Sequence, residues 1–138
     1  MIVIGLDGKE YKWNPKSKPK ANASKLHILA RNLLKEIFPF SNVYEEVELS
    51  GTRITKNLVA DFYLPTQQLI IEVQGQQHYK YGFFHGTKIE FFRAKQRDLN
   101  KKLWCEINKI GFVELPYSET IDEWRKRIKG IGSTRQME

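Results

Sequence analysis

The sequence predicts an α/β domain with a mixed central sheet, and three observations carry that expectation. At 138 residues the chain is the size of one ordinary domain, long enough to bury a core and too short for two cores of normal size. Its apolar residues recur at helical spacing in residues 24–38 and 88–110 but form strand-like runs in residues 43–49, 58–64 and 68–74. After a short N-terminal hairpin the order reads helix, strand, strand, strand, helix, strand, helix, which lays helices against the faces of a sheet.

Residues 2–13 read as a hairpin turning at Asp7-Gly8, between Ile2-Val3-Ile4 and Tyr11-Lys12-Trp13. Residues 14–23 hold Pro15, Pro19 and three lysines without an apolar period, so residues 1–23 are expected to be a hairpin and basic arm. Ser24 is placed to cap a helix to about Phe38, with Leu26, Leu29, Ala30, Leu33 and Ile37 on one stripe and Pro39 as the stop. Val43 to Leu49 and Leu58 to Leu64 are strand-like around a polar turn at Gly51, and Gln68 to Gln74 is a third strand. A loop rich in glycine, aromatic residues and histidine precedes a long helix from about Lys88 to Ile110. Its apolar line runs Ile89, Phe92, Leu99, Leu103, Ile107, Ile110, and Gly111 is expected to end it. Phe112 to Leu115 is a short buried strand, and Thr120-x-x-Glu123 opens a last helix with Trp124 and Ile128 inward. Residues 24–129 then form the domain and residues 130–138 a flexible tail.

Lys+Arg 23 against Asp+Glu 16 leaves a net charge of +7, with basic residues thickest in 12–25, 93–102 and 125–129. A polyanionic partner is the natural expectation, although many basic proteins are merely soluble. The single cysteine, Cys105, cannot form an internal disulfide and reads as a small core residue. The start lacks a basic stretch followed by a long apolar run, and no segment is apolar for long enough to cross a bilayer. A reducing cytoplasm without membrane attachment is therefore expected. His27, His78, His85 and Cys105 offer no close ligand pair, which argues against zinc.

The chemistry concentrates in residues 60–78. Strand alternation puts Glu72 and Gln74 on one side of their strand and Ile71 and Val73 on the other, so two hairpin-linked strands can bring Asp61, Glu72 and Gln74 to one point. Convergent carboxylates suit a hard dication, Mg²⁺ or Mn²⁺, that takes oxygen ligands and keeps waters for substrate phosphates. Asp61 and Glu72 are the expected ligands, the plain alternative being that Glu72 and Gln74 are the solvated side of a strand. His78 is the candidate acid/base, since an imidazole titrates near neutral pH and can pass a proton to a leaving 3′ oxygen; otherwise it is a loop histidine among Tyr79, Tyr81, Phe83 and Phe84. That aromatic loop is expected to pack over the site, the other use of its rings being to stack on bases. Arg93, Arg97 and Lys101 recur at i, i+4, i+8 opposite the apolar line, a phosphate-contacting stripe if it is not only a solvated face, with Lys80 as a further candidate contact.

The element order, with Asp61 in the second core strand and Glu72-Val73-Gln74 in the third, resembles the PD-(D/E)xK nuclease superfamily. That resemblance implies a restriction-endonuclease-like α-β-β-β-α-β core in which the first acid and the Glu bind metal and the residue two later, usually Lys, serves the attacking water. Ala60-Asp61 and Gln74 depart from the pattern, and glutamine is neither base nor cation. The run Asp61…Glu72-Val73-Gln74-Gly75-Gln76-Gln77-His78, with Asp98 in the next helix, more closely resembles the phage-type EDxHD homing endonucleases related to the very-short-patch repair endonucleases. In that branch a histidine at the position of His78 takes over acid/base work, and Asp98 matches the final acid. The acid of the first helix falls on His27, with Glu46 and Glu36 nearby, and the three stay open. The resemblance covers residues 24–128. It implies a metal-dependent endodeoxyribonuclease that nicks or cuts duplex DNA without a small-molecule cofactor, phage-encoded and at work in a bacterial host. A monomer is expected. Two other classes stand beside it: an inactive nuclease-fold domain that binds nucleic acid, kept in view by Gln74, and a nuclease acting on RNA.

Overall fold

The computed structural model describes residues 1–75 and 87–137, with side chains described through residue 130. Its elements are β1 (Ile2–Ile4), β2 (Glu10–Lys12), α1 (Lys25–Ile37), β3 (Tyr44–Leu49), β4 (Leu58–Leu64), β5 (Leu69–Gln74), α2 (Lys88–Ile107), β6 (Gly111–Pro116) and α3 (Ile121–Met137). The β1–β2 hairpin turns at Gly8, whose φ of 82° suits a residue without Cβ. The four later strands form one sheet in the order β3-β4-β5-β6, antiparallel through β5 and parallel between β5 and β6. The parallel pair needs a crossover, and α2 supplies it.

The sheet is covered on both faces. On one, Ala30, Leu33 and Leu34 of α1 with Trp124 and Ile128 of α3 pack on Phe62, Leu64, Leu69, Ile71, Val113 and Leu115. On the other, Trp104 and Cys105 of α2 join Val3 and Trp13 over Val47, Leu49, Ala60, Tyr63 and Ile70. Three tryptophans anchor these layers, and each indole N–H reaches a carbonyl at 2.8 Å: Trp13 to Glu48, Trp104 to Ser50, Trp124 to Pro116. Cys105 is a buried free thiol whose pKa burial pushes up to about 12, in keeping with a core role. Among the described residues the fold is thus a mixed α/β domain with a four-stranded mixed sheet, a two-stranded hairpin and three helices.

Local signals placed the helix starts. Ser24 Oγ accepts the amide of His27 at 3.1 Å, and Thr120 Oγ1 accepts that of Glu123 at 3.2 Å. Thr87 and Glu90 form a reciprocal capping box on α2.

Three expectations need correction. The apolar line of α2 does not face the core: Ile89, Phe92, Leu99, Leu103 and Ile107 are 39–63% exposed, while Phe91, Trp104 and Cys105 are buried. Apolar count misleads here because the inward face carries a buried ion pair, so the hydropathic stripe points the wrong way. In α1 the stripe is rotated as well, with Leu29 outward and His27 and Leu34 inward. The end of α2 comes at Ile107, before Gly111; Lys109, at φ 56°, makes the left-handed turn, and Gly111 begins β6. α3 itself runs from Ile121 to Met137. Among the described residues no helix is long and apolar enough to cross a membrane.

Candidate active site

The site lies where β3, β4 and β5 lose their regular pairing. Between β3 and β4 the register pairs Glu45 with Phe62 and Val47 with Ala60 but skips Glu46 and Asp61. Glu46 sits there at φ 52°, a left-handed conformation that costs a residue with a Cβ on the order of 1 kcal/mol. The kink shifts the alternation by one. Glu45 turns toward α1 while Val47 joins the core under α2, and Glu46 is freed to face Asp61.

Between β4 and β5 the ladder stops at Phe62 and Ile71, and side chains take over. The Asp61 amide donates to Glu72 Oε2 at 2.7 Å, and the Val73 amide donates to Asp61 Oδ2 at 2.8 Å. Each carboxylate therefore fixes the strand that carries the other.

The two acids then diverge. Glu72 faces α2, where Lys101 Nζ meets its Oε1 at 2.5 Å. Burial and the charge of Asp61 raise the Glu72 carboxyl pKa to about 8, against the opposing pull of Lys101. Burial works against the Lys101 ammonium, but Glu72, Asp61 and then Asp98 outweigh it and raise its pKa. Gln74 is buried on this same side. Lys101, expected on an open phosphate-binding stripe, is instead 15% exposed and turned into the site. Arg93 and Arg97 do stay open to solvent and line a trough of about 720 Å³ with Lys56 and Asn57.

Asp61 faces the other way, toward α1. One ligand atom each from His27, Glu46 and Asp61 lies within 4.8 Å of the others, an arrangement that could hold a metal ion. The three line a cleft of about 470 Å³ whose mouth includes Lys20 and Ser24. His27 is tightly held: its ring stacks on Phe62 at 4.4 Å, and its Nε2 lies 2.8 Å from Glu45 Oε1. Arg31 grips both oxygens of Glu45, at 2.8 and 2.9 Å. Burial works against the Glu45 carboxylate, but Arg31 and then His27 outweigh it and hold its pKa below the usual range.

Of the three residues left open for the first acidic position, Glu36 is paired with Arg125 on the surface at 2.7 Å, whereas His27 and Glu46 both meet Asp61. Glu72, expected as the second metal ligand, has Oε1 engaged by Lys101 and Oε2 by the Asp61 amide. Asp98 adds to the field on Lys101 from one turn earlier on α2. His78, Lys80 and His85 lie outside the described residues.

Sequence reasoning missed Glu45, Arg31 and Lys20. The first two were visible as adjacent acids inside the apolar run Val43 to Leu49 and as a His27/Arg31 pair one helical turn apart. Lys20 comes in because the arm docks on β3: the Lys18 amide donates to Glu45 O at 2.7 Å, the Glu45 amide to Ser17 Oγ at 2.9 Å, and Lys20 Nζ sits 3.7 Å from Glu46.

The raised Glu72 pKa carries a sign. Between its ordinary 4.5 and about 8 the folded chain holds a proton that the unfolded chain has released, so this group favours folding at low pH and that contribution is lost as pH rises through 8. Glu45, lowered instead, loses its contribution only as pH falls below the ordinary carboxylate range. Melting of the metal-free protein from pH 5 to 9 should therefore show a decline that Glu72→Gln flattens. Equal slopes in wild type and variant would remove this role for Glu72.

No family model matches the chain, and no solved structure matches it. It is similar to Uncharacterized protein 307L of Invertebrate iridescent virus 6, at 37% identity over 70 residues, 50% of this chain and 36% of that protein. It is also similar to Uncharacterized protein 033L of Invertebrate iridescent virus 3, at 36% identity over 81 residues, 55% of this chain and 42% of that protein. The chain thus spans well under half the length of the curated relatives it matches, and their names state no activity.

Proposed function

We propose that the chain is a metal-dependent endonuclease that hydrolyses phosphodiester bonds of duplex DNA, built on a restriction-endonuclease-like core. One observation carries the reading: three ligand atoms, from His27, Glu46 and Asp61, converge on a cleft where the strands part, beside a second acid held by a lysine. A bound Mg²⁺ or Mn²⁺ would polarise the phosphoryl group and lower the pKa of a coordinated water. Asp61 and Glu46 face that position, and Glu72 holds Asp61 in place through its backbone. Lys101, on the α2 side of the sheet, holds Glu72 and so acts on the cleft only through Glu72 and the Asp61 backbone. On the resemblance, His78 would protonate the leaving 3′ oxygen.

The electrostatic surroundings fit a polyanion. Lys20 borders the metal cleft, while Arg93, Arg97 and Lys56 line the trough on the far side of the Asp61–Glu72 pair. Replacing Arg93 and Arg97 together by Ala should flatten the log–log salt dependence of duplex binding, by about 0.9 units for each phosphate that is no longer neutralised. An unchanged slope would move the DNA path elsewhere.

The second reading, a binding domain without catalysis, rests on Gln74. Incubating the full chain with supercoiled plasmid or duplex RNA, in Mg²⁺ or Mn²⁺ and again in EDTA, separates the readings. Metal-dependent plasmid nicking is expected, the one centre among the described residues favouring single-strand cuts. Binding without cleavage of either substrate would support the inactive domain, and cleavage of RNA alone would redirect the substrate.

A further inference from the structure

The donor set at Asp61 mixes one imidazole with two carboxylates, and it is built around the imidazole. His27 is buried, stacked on Phe62, and its Nε2 is engaged by Glu45, which Arg31 holds at both oxygens. With Nε2 engaged, Nδ1 is the ring nitrogen left to bind an ion. A carboxylate on the far nitrogen of a metal-binding histidine fixes its tautomer and raises its basicity, and such supports are worth about 10–100-fold in affinity. The Arg31–Glu45–His27 chain is such a support, assembled from α1 and β3.

That donor set discriminates among cations. Mg²⁺ demands near-octahedral oxygen ligation and is poorly served by a nitrogen ligand, whereas imidazole suits first-row transition ions and carboxylates suit Mn²⁺ as well. The arm adds a local cation, since Lys20 lies 3.7 Å from Glu46 and offsets part of its charge. Partial neutralisation weakens a purely electrostatic site for a hard ion, while a directional nitrogen bond is little affected.

Resting on the metallonuclease reading, we infer that the centre formed by His27 Nδ1, Glu46 and Asp61 selects Mn²⁺ over Mg²⁺, with His27 the residue that sets the preference.

The experiment uses the full chain without nucleic acid. Calorimetric titration should give a Mn²⁺ affinity at least about tenfold above that for Mg²⁺, a difference of about 1.4 kcal/mol. His27→Gln should reduce the ratio to near unity. Pulsed electron paramagnetic resonance of the Mn²⁺-loaded wild type should show modulation from a directly bound ¹⁴N nucleus, a readout that needs no variant to fold. Mn²⁺ binding without nitrogen coupling, or equal affinity for the two ions, would overturn the selectivity while leaving the metallonuclease reading intact. Failure of either ion to bind, with plasmid still cut in EDTA, would overturn both.

Discussion

Asp61→Asn should abolish cleavage while leaving the fold and DNA affinity in place. The amide keeps the carboxyl's shape, and its oxygen can still accept the Val73 amide that now reaches Asp61 Oδ2 at 2.8 Å. What disappears is the charge shared by the cluster with His27 and Glu46. A metal supplies several kcal/mol of transition-state stabilisation, and each factor of ten takes about 1.4 kcal/mol, so a loss of about three orders of magnitude or more in single-turnover rate is expected. Affinity for a short duplex should be unchanged or tighter, because a carboxylate facing phosphates repels them when no metal is bound. A folded Asp61→Asn protein that cuts at the wild-type rate would remove Asp61 from the chemistry.

Lys101→Ala should produce the largest loss of stability, about 3–5 kcal/mol, the usual result of stranding one member of a buried ion pair. Glu72 would then be buried beside Asp61 with its cation gone. The carboxyl already takes up a proton more readily than usual, so the loss should be greatest near pH 9 and shrink toward pH 5, where Glu72 can neutralise itself. Denaturant unfolding of Lys101→Ala at both pH values checks this. Pairing it with Glu72→Gln should recover much of the stability, since the stranded charge is then absent. A penalty independent of pH and of Glu72 would mean that Lys101 acts through packing of its stem alone.

The sequence foretold much of the architecture because local rules governed it. Ser24, Thr120 and Asp7-Gly8 specify their caps and turn through bonds to nearby backbone, and the strand runs are apolar enough to be seen without context. The face of α2 was misread for a physical reason. Its inward side spends a position on Lys101, whose burial is intelligible only once Glu72 is opposite it. Hydropathy cannot anticipate a partner 29 residues away.

The site was legible as residue types and illegible as geometry. Asp61 and Glu72 were marked from strand spacing and His27 through the family resemblance, but the division of labour depends on the left-handed Glu46, which no propensity assigns to a glutamate in a strand. That one dihedral turns Glu46 toward Asp61 and sends Glu45 to His27. The buried support of Arg31 and Glu45 likewise spans two elements, and it emerges only when α1 lies against β3.

The most direct measurement is anomalous diffraction from crystals of the full chain soaked in Mn²⁺. One strong peak is expected in the cleft of α1, β3 and β4, within roughly 2.0–2.4 Å of Asp61, Glu46 and the free nitrogen of His27, typical lengths for divalent metals on oxygen and nitrogen. The Lys101–Glu72 pair should remain closed beneath it. A peak between Asp61 and Glu72, with Lys101 displaced, would contradict this placement of the metal, and a cleft without any peak would contradict a metal-dependent centre altogether.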